Sequence, residues 1–307
     1  MPYANDTKVS LASCCLSPDK VTSHILEQTP QRISIRFDWE DVETASSMSQ
    51  IIWASACSPI LHFDTTVDWH ENRRMLKVDF PFHLHTSSAT FEVQFGKVER
   101  PTHTNTSHDW AKYEVCGHRF ACLSEAYCTG GVVNDCKYGW TARGQTLSLS
   151  LLRAPKAPDE MADMGIHRFR YGLVAFQGLG KEEAERRMVR EGILFNSPLH
   201  SLMTSSPTPK LLPITLSAQN KGGEGVVIST MKVLEDSNNG ILVRLYESLG
   251  GRGKVSLEIQ LPISEAKETN ILEDPITNLP ITPHINGWTV DIPELLPYQV
   301  KSIVLIR

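Results

Sequence analysis

Thr146-Leu-Ser-Leu-Ser-Leu-Leu152 decides the fold class. Leu147, Leu149 and Leu151 alternate with Ser148 and Ser150, so one face is apolar and the other polar. That period of two belongs to a half-buried strand, because successive side chains of an extended backbone point to opposite faces. The same alternation appears on both sides of this stretch. Ile33, Ile35 and Phe37 alternate with Ser34 and Arg36. Residues 51–56 and 60–68 repeat it with Pro59 as a breaker, and 75–80, 90–95, 118–124, 126–134 and 167–176 follow. Only 181–192, KEEAERRMVREG, reads as a helix, closed by Gly192 in the place that favours glycine.

Residues 196–213, NSPLHSLMTSSPTPKLLP, are rich in Pro and Ser and read as a linker. Beyond them, 226–233, 241–246, 255–260, 288–292 and 299–306 are strand candidates at sandwich-like spacing. The chain is therefore read as mainly β: a larger sandwich to about residue 200, then a smaller one. The expected bounds are a poorly specified lead-in over 1–32, a large sandwich over 33–200, a linker over 201–213 and a small sandwich over 214–307.

Composition narrows the function classes. In 307 residues the apolar share is 41% and the charged share 21%, ordinary for a globular protein with a sizeable core. A net charge of -5 argues against a general nucleic-acid surface. No apolar run is long enough to span a bilayer, and the N-terminus lacks the basic and apolar regions of a signal peptide. Seven cysteines with no CxxC pair point away from a zinc ribbon or a thioredoxin-type site and toward reduced thiols in a cytoplasmic protein.

The chemistry-bearing residues crowd between Asp68 and Pro158. His83 and His85 form an HxH read as lying on a strand, on one face, but no third ligand stands nearby. Arg100-Pro-Thr-His103 is followed by His108-Asp-Trp110. Trp offers an apolar face to a pyranose, and Asp and Arg can hold its hydroxyls; the same composition also suits a surface loop with an anchoring Trp. Asn134-Asp-Cys-Lys-Tyr-Gly139 reads as a turn at a strand end whose amide, carboxylate, ammonium and phenol would suit a polyol, or as a plain hairpin turn. Cys136 stands beside Lys137, yet no Cys–His order supports a nucleophile. Carboxylates are plentiful, and no spacing selects the pair a glycosidase needs.

Several motifs together carry a resemblance. Asp68-Trp-His-Glu-Asn-Arg-Arg74, Leu76-Lys-Val-Asp-Phe-Pro81, Arg100-Pro-Thr-His103, Asn105-Thr106, Asp109-Trp-Ala111, Leu123-Ser-Glu125, Asn134–Gly139 and Leu147–Asp159 stand in this order. In these motifs, from about residue 33 to 176, the chain resembles the C-terminal β region of cytosolic-type class II α-mannosidases, glycoside hydrolase family 38. The last hundred residues resemble that family's trailing small sandwich. Two departures are His108, where the family more often has Trp, and the segment 121–130 with Cys122 and Cys128.

The resemblance implies a galactose-mutarotase-like supersandwich, truncated at its start, followed by a small C-terminal β-sandwich. It implies retaining hydrolysis of terminal α-D-mannose from free or N-glycan-derived oligomannose. The family's nucleophile and its zinc or cobalt site belong to an N-terminal barrel, so no catalytic residue and no metal or other cofactor is expected on this chain. The implied partners are a mannose-containing oligosaccharide, the missing N-terminal catalytic domain and a second copy in a homo-oligomer, with no nucleic acid and no membrane. Arg100, His103, Asp109, Asn134, Asp135, Lys137, Tyr138 and Arg153 are the candidates for contacts to sugar hydroxyls at the rim. The alternative is a stand-alone carbohydrate-binding or interaction module without hydrolase activity.

Overall fold

The computed structural model describes residues 21–197, 203, 214–285 and 287–307. Its first thirteen strands are β1 (Val21–Gln28), β2 (Arg32–Asp41), β3 (Ser46–Ser55), β4 (Ile60–Trp69), β5 (Met75–Pro81), β6 (Ser88–Val93), β7 (Gly96–Pro101), β8 (Val115–Cys116), β9 (Phe120–Ser124), β10 (Cys128–Asn134), β11 (Gly139–Arg143), β12 (Thr146–Arg153) and β13 (Gly165–Gln177). A short helix α1 (Ser107–Ala111) lies between β7 and β8, and α2 (Lys181–Asn196) follows β13. Nine further strands are β14 (Ile214–Ala218), β15 (Val226–Val233), β16 (Gly240–Glu247), β17 (Gly253–Ile259), β18 (Glu265–Thr269), β19 (Pro275–Leu279), β20 (Ile281–His284), β21 (Gly287–Leu295) and β22 (Val300–Ile306). The chain is mainly β.

By packing, the residues form two units. Of the described residues, the first holds 21–91, 100–181 and 191–196, and the second holds 92–99, 182–190, 197, 203, 214–285 and 287–307. A nine-stranded sheet runs β1-β2-β3-β4-β13-β10-β9-β6-β7, and a four-stranded sheet runs β5-β12-β11-β8. The leucines of β12 do what their alternation demands. Leu147 and Leu149 are wholly buried, and they pair with Phe80 and Val78 of β5. Phe80 turns its edge to Phe63 of β4 and Tyr171 of β13, at 5.9 and 6.1 Å between ring centroids. Side chains from the two sheets therefore meet in one core, which Phe91, Phe120, Leu123 and Trp140 complete. Each fully buried aromatic contributes roughly 1.5–3 kcal/mol of transfer free energy.

In the second unit a four-stranded sheet, β14-β17-β21-β20, accompanies a five-stranded one, β15-β16-β22-β18-β19. Their apolar faces share the core of Val243, Leu245, Val255, Leu257, Val290, Ile303 and Leu305. Beside it, the wholly buried Glu247 carboxylate accepts the backbone N–H groups of Leu249, Gly250 and Tyr298 at 3.0, 2.7 and 3.1 Å. A buried pair in the same unit joins Lys97 Nζ to Glu185 at 2.5 Å.

Four sequence expectations need correction. The lead-in contains a strand: Val21–Gln28 pairs antiparallel with β2. Most of its side chains are exposed, so it carries no alternation. The helix does not stop at Gly192 but continues to Asn196. A Cβ on Gly192 would come within 3.3 Å of the Phe120 ring, so close packing explains this glycine. His83 and His85 do not lie on a strand: β5 ends at Pro81, and both stand exposed in the irregular run after it, with Leu84 buried between them. The second unit also takes in 92–99 and 182–190, which the expected bounds placed in the large sandwich. The expected linker 201–213 lies outside the described residues except for Met203. Among the described residues no helix is long and apolar enough to cross a membrane.

Candidate functional site

Arg100, His103 and Asp109 line one recess of the first unit. β7 delivers Arg100, and the turn after it is tied down through Thr102. Thr102 N–H and Oγ1–H donate to Ser87 O and Thr86 O, both at 3.0 Å, and Gly144 N–H donates to Thr102 O at 2.8 Å. The chain then enters α1 through a cap. Thr106 Oγ1 accepts Asp109 N–H at 3.1 Å and donates its proton to Asp109 Oδ2 at 2.6 Å. The Thr106 backbone N–H also favours the Asp109 carboxylate, the return half of a capping box with Asp in the acidic place. The Thr106 hydroxyl, with His103 and Lys112 nearby, holds the Asp109 carboxyl below its ordinary range. His103 Nδ1 lies 3.9 Å from Asp109 Oδ2.

Across the recess the Arg100 guanidinium sits over the Phe91 ring, 4.9 Å from its centroid. Its Nη1 is buried and has no hydrogen-bond partner among the described residues; the same is true of Trp140 Nε1. Lys112 and Arg143 complete the cationic part of the lining. The enclosed space is only about 40 Å³, far below the roughly 300–1,000 Å³ of a small-molecule pocket. The recess can take one small group, and a ring must lie outside it.

Beside it, Trp110 and Tyr113 stand 55% and 40% exposed, edge to face with centroids 5.6 Å apart. Arg143 lies over Tyr113 at 5.7 Å. The backbone here is pinned to the four-stranded sheet: Thr141 Oγ1–H donates to Tyr113 O at 2.9 Å, and Lys77 and Ser150 both hold the Glu114 carboxylate.

The other candidates lie elsewhere or are already engaged. Asn134 is 1% exposed. Its Nδ2 donates to His118 O at 2.8 Å, and its Oδ1 accepts Cys136 N–H and Lys137 N–H at 3.1 and 2.6 Å. Asp135 accepts from the backbone N–H and Nε–H of Arg170 at 3.1 and 3.2 Å. Lys137 lies over Phe169 at 4.7 Å. Tyr138 is 54% exposed, and its ring lies 5.2 Å from that of His118. Arg153, at the end of β12, is anchored by its backbone N–H to Asp163 at 3.1 Å. The Cys136 residue reaches the surface, yet packing around the thiol and then the Asp135 carboxylate push its pKa up to about 12. Such a thiol is not a nucleophile at neutral pH.

Two family models match the chain. "Glycosyl hydrolases family 38 C-terminal domain" covers residues 5–161, about half of the chain, and "Glycosyl hydrolases family 38 C-terminal beta sandwich domain" covers 225–303. The chain belongs to glycosyl hydrolase family 38. It is 39% identical over 265 residues to Alpha-mannosidase 2C1 of Mus musculus, covering 85% of this chain and 24% of that protein. With Alpha-mannosidase of Saccharomyces cerevisiae it shares 32% over 310 aligned positions, covering 95% of this chain and 27% of that one. An α-mannosidase structure from Enterococcus faecalis V583 superposes with a TM-score of 0.74 at 15% identity, over 94% of this chain and 35% of that one, and shows the fold. This family 38 chain thus corresponds to the family's C-terminal region and spans about a quarter of the length of the curated relatives it matches. The family match begins at residue 5, ahead of the position near 33 where the sequence motifs placed it.

The resemblance read from the sequence implies zinc or cobalt in the full-length enzymes, held outside this chain. Among the described residues no group of three or more His, Cys, Asp or Glu side chains could hold a metal ion. The described residues therefore do not offer a ligand set for such a metal. Sequence reasoning picked out Trp110 as a sugar-facing aromatic but missed the rest of the shelf and the cationic lining: Tyr113, Lys112 and Arg143. One available signal is the Thr106-Ser-His-Asp109 spacing, a helix-start signature that places Trp110 and Lys112 beside Asp109.

Proposed function

We propose that this chain is the carbohydrate-contacting C-terminal part of an α-mannosidase that removes terminal α-D-mannose from free or N-glycan-derived oligomannose. The nucleophile and metal are supplied by a catalytic region outside this chain. The observation that carries the reading is the convergence of Arg100, His103 and Asp109 on one recess beside the exposed Trp110–Tyr113 shelf. An aromatic shelf offers its face to the C–H side of a pyranose, and the charged groups beside it offer hydrogen bonds to hydroxyls. In this reading Asn134, Asp135 and Lys137 brace their own turn and its neighbours, and Tyr138 and Arg153, which lie outside the recess, make outer contacts to the oligosaccharide. Cys57, Cys116, Cys128 and Cys136 form no disulfide among the described residues, which supports a reducing, cytoplasmic setting.

The test has two arms. The purified chain is assayed on an aryl α-mannoside with added zinc or cobalt, and no turnover is expected; turnover would overturn the assignment of catalysis to another region. Oligomannose is then titrated by calorimetry into the chain and into Trp110→Ala. Binding weakened about tenfold by the substitution is expected, since one stacking aromatic carries on the order of 1–2 kcal/mol. A second reading, a stand-alone carbohydrate-binding or interaction module, draws on the same exposed shelf. It gains if the chain binds oligomannose tightly by itself and if adding the rest of a family enzyme changes nothing.

A further inference from the structure

The recess holds a cation without a counter-charge. Arg74, Arg36 and Arg170 each pair with a carboxylate at 2.8–3.2 Å. Arg100 pairs with none among the described residues, and its buried Nη1 has no acceptor. Burial pulls the guanidinium below its ordinary pKa, and the Cys116 thiol is the group that opposes this. Arg100 as a residue is half-buried, but a buried N–H donor without an acceptor, such as its Nη1, is costly. Trp140, wholly buried, also lines the recess, and its Nε1–H is likewise without an acceptor among the described residues. Both deficits are of one kind: donors that lack an acceptor.

The charge balance has the same sign. Arg100, Lys112 and Arg143 line the recess against a single carboxylate, Asp109. That carboxylate is already engaged by the Thr106 hydroxyl and faces His103. A space of about 40 Å³ has room for roughly three water-sized centres, the scale of one compact polyatomic anion and not of a sugar ring.

We propose that this recess is a binding site for a small tetrahedral oxyanion, phosphate or sulfate, received by Arg100 with Lys112 and Arg143 at its mouth. Arg suits the role because its planar fork meets an oxyanion with two parallel hydrogen bonds. The anion arrives free or as a phosphate ester on a larger ligand lying over Trp110 and Tyr113. The proposal does not depend on the mannoside reading, because the binding can be measured with no sugar present.

The experiment uses the full chain. Sodium phosphate and sodium sulfate are titrated at constant ionic strength, with sodium chloride as the control, by calorimetry and by thermal unfolding. A saturable heat and a rise in Tm of about 2 °C or more with phosphate or sulfate, absent with chloride, is expected. Arg100→Met should abolish both, and Arg143→Gln or Lys112→Gln should weaken binding at least about fivefold, as loss of a charge-assisted contact does. Should Arg100→Met fail to fold, the two rim variants decide, because an unchanged affinity in both overturns the proposal. Equal effects of phosphate and chloride, or full binding by a folded Arg100→Met, also overturn it. A third arm compares mannose 6-phosphate with inorganic phosphate. Tighter binding of the ester that falls in Trp110→Ala assigns the anion to a phosphorylated sugar, and equal binding assigns it to free phosphate. Anion binding without any mannoside binding would sink the sugar reading alone.

Discussion

The imidazole of His62 lies flat on the indole of Trp53, with ring centroids 3.7 Å apart and planes 1° from parallel. Phe195 stacks on its other side at 5.6 Å, Arg32 lies over Trp53 at 4.5 Å, and Arg170 lies over Phe195 at 5.5 Å. Burial holds the His62 pKa below its ordinary 6.5, and the two arginines add to the effect against the opposing Asp64 carboxylate. The unfolded chain therefore takes up this proton at higher pH than the folded one. The stability contributed by neutral His62 is present above about pH 6.5 and is lost as pH falls toward the folded-state value. Denaturation midpoints at pH 7.5 and 5.5 check it. His62→Phe, which keeps the stack, should lose less stability between the two than the native chain, and an equal loss would refute the assignment.

Asn134 braces a turn. Its amide satisfies one buried carbonyl and two backbone N–H groups. Asn134→Ala should cost about 2–3 kcal/mol of stability, because the groups left unpaired retain their desolvation cost. Urea unfolding measures this. If Asn134 served a sugar instead, the loss would appear in ligand binding with little change in the midpoint.

The Phe82 ring covers Gly130 in β10: a Cβ there would lie 2.3 Å from Phe82 Cδ1. Gly130→Ala should destabilise the first unit by roughly 1–3 kcal/mol through forced repacking. Adding Phe82→Leu should return part of that loss. Strict additivity of the two changes would show that the ring and the glycine do not meet.

Removing Glu247 should be severe. Glu247→Ala strands three backbone N–H donors that its carboxylate now satisfies, at a cost of about 3 kcal/mol or more. Glu247→Gln, which keeps one acceptor oxygen, should lose less. Thermal unfolding of the two variants gives the order.

The Cys136 thiol, raised to about 12, should be alkylated by iodoacetamide at pH 8 at least about a hundredfold more slowly than glutathione, because the thiolate is the reactive form. Mass spectrometry of the labelled peptides follows the rate, and labelling as fast as glutathione would contradict the environment described.

Alternation made the half-buried strands legible, from Thr146–Leu152 to residues 255–259, because burial of one face imposes it. It failed where burial is absent. β1 and β19 are almost wholly exposed, and nothing in their residues needs a period of two. Gly192 misled because a helix can carry glycine for close packing as well as for termination. At the site, composition picked out Arg100, His103 and Asp109, which do converge. It could not separate them from Asn134, Asp135 and Lys137, whose polar groups turn onto their own backbone or onto neighbours within the fold. Whether a polar side chain is already satisfied is a property of three dimensions, and residue type does not record it.

The second unit draws on three separate stretches of chain, 92–99, 182–190 and 197–307. No single scission can therefore release it whole. A gene fusion that carried away residues 214–307 alone would take the two sheets and leave behind Lys97 and Glu185, a buried pair of the same unit. The hydrophobic core of the small sandwich lies wholly within 214–307, so what such a transfer would forfeit is this ion pair and the packing of the two earlier segments.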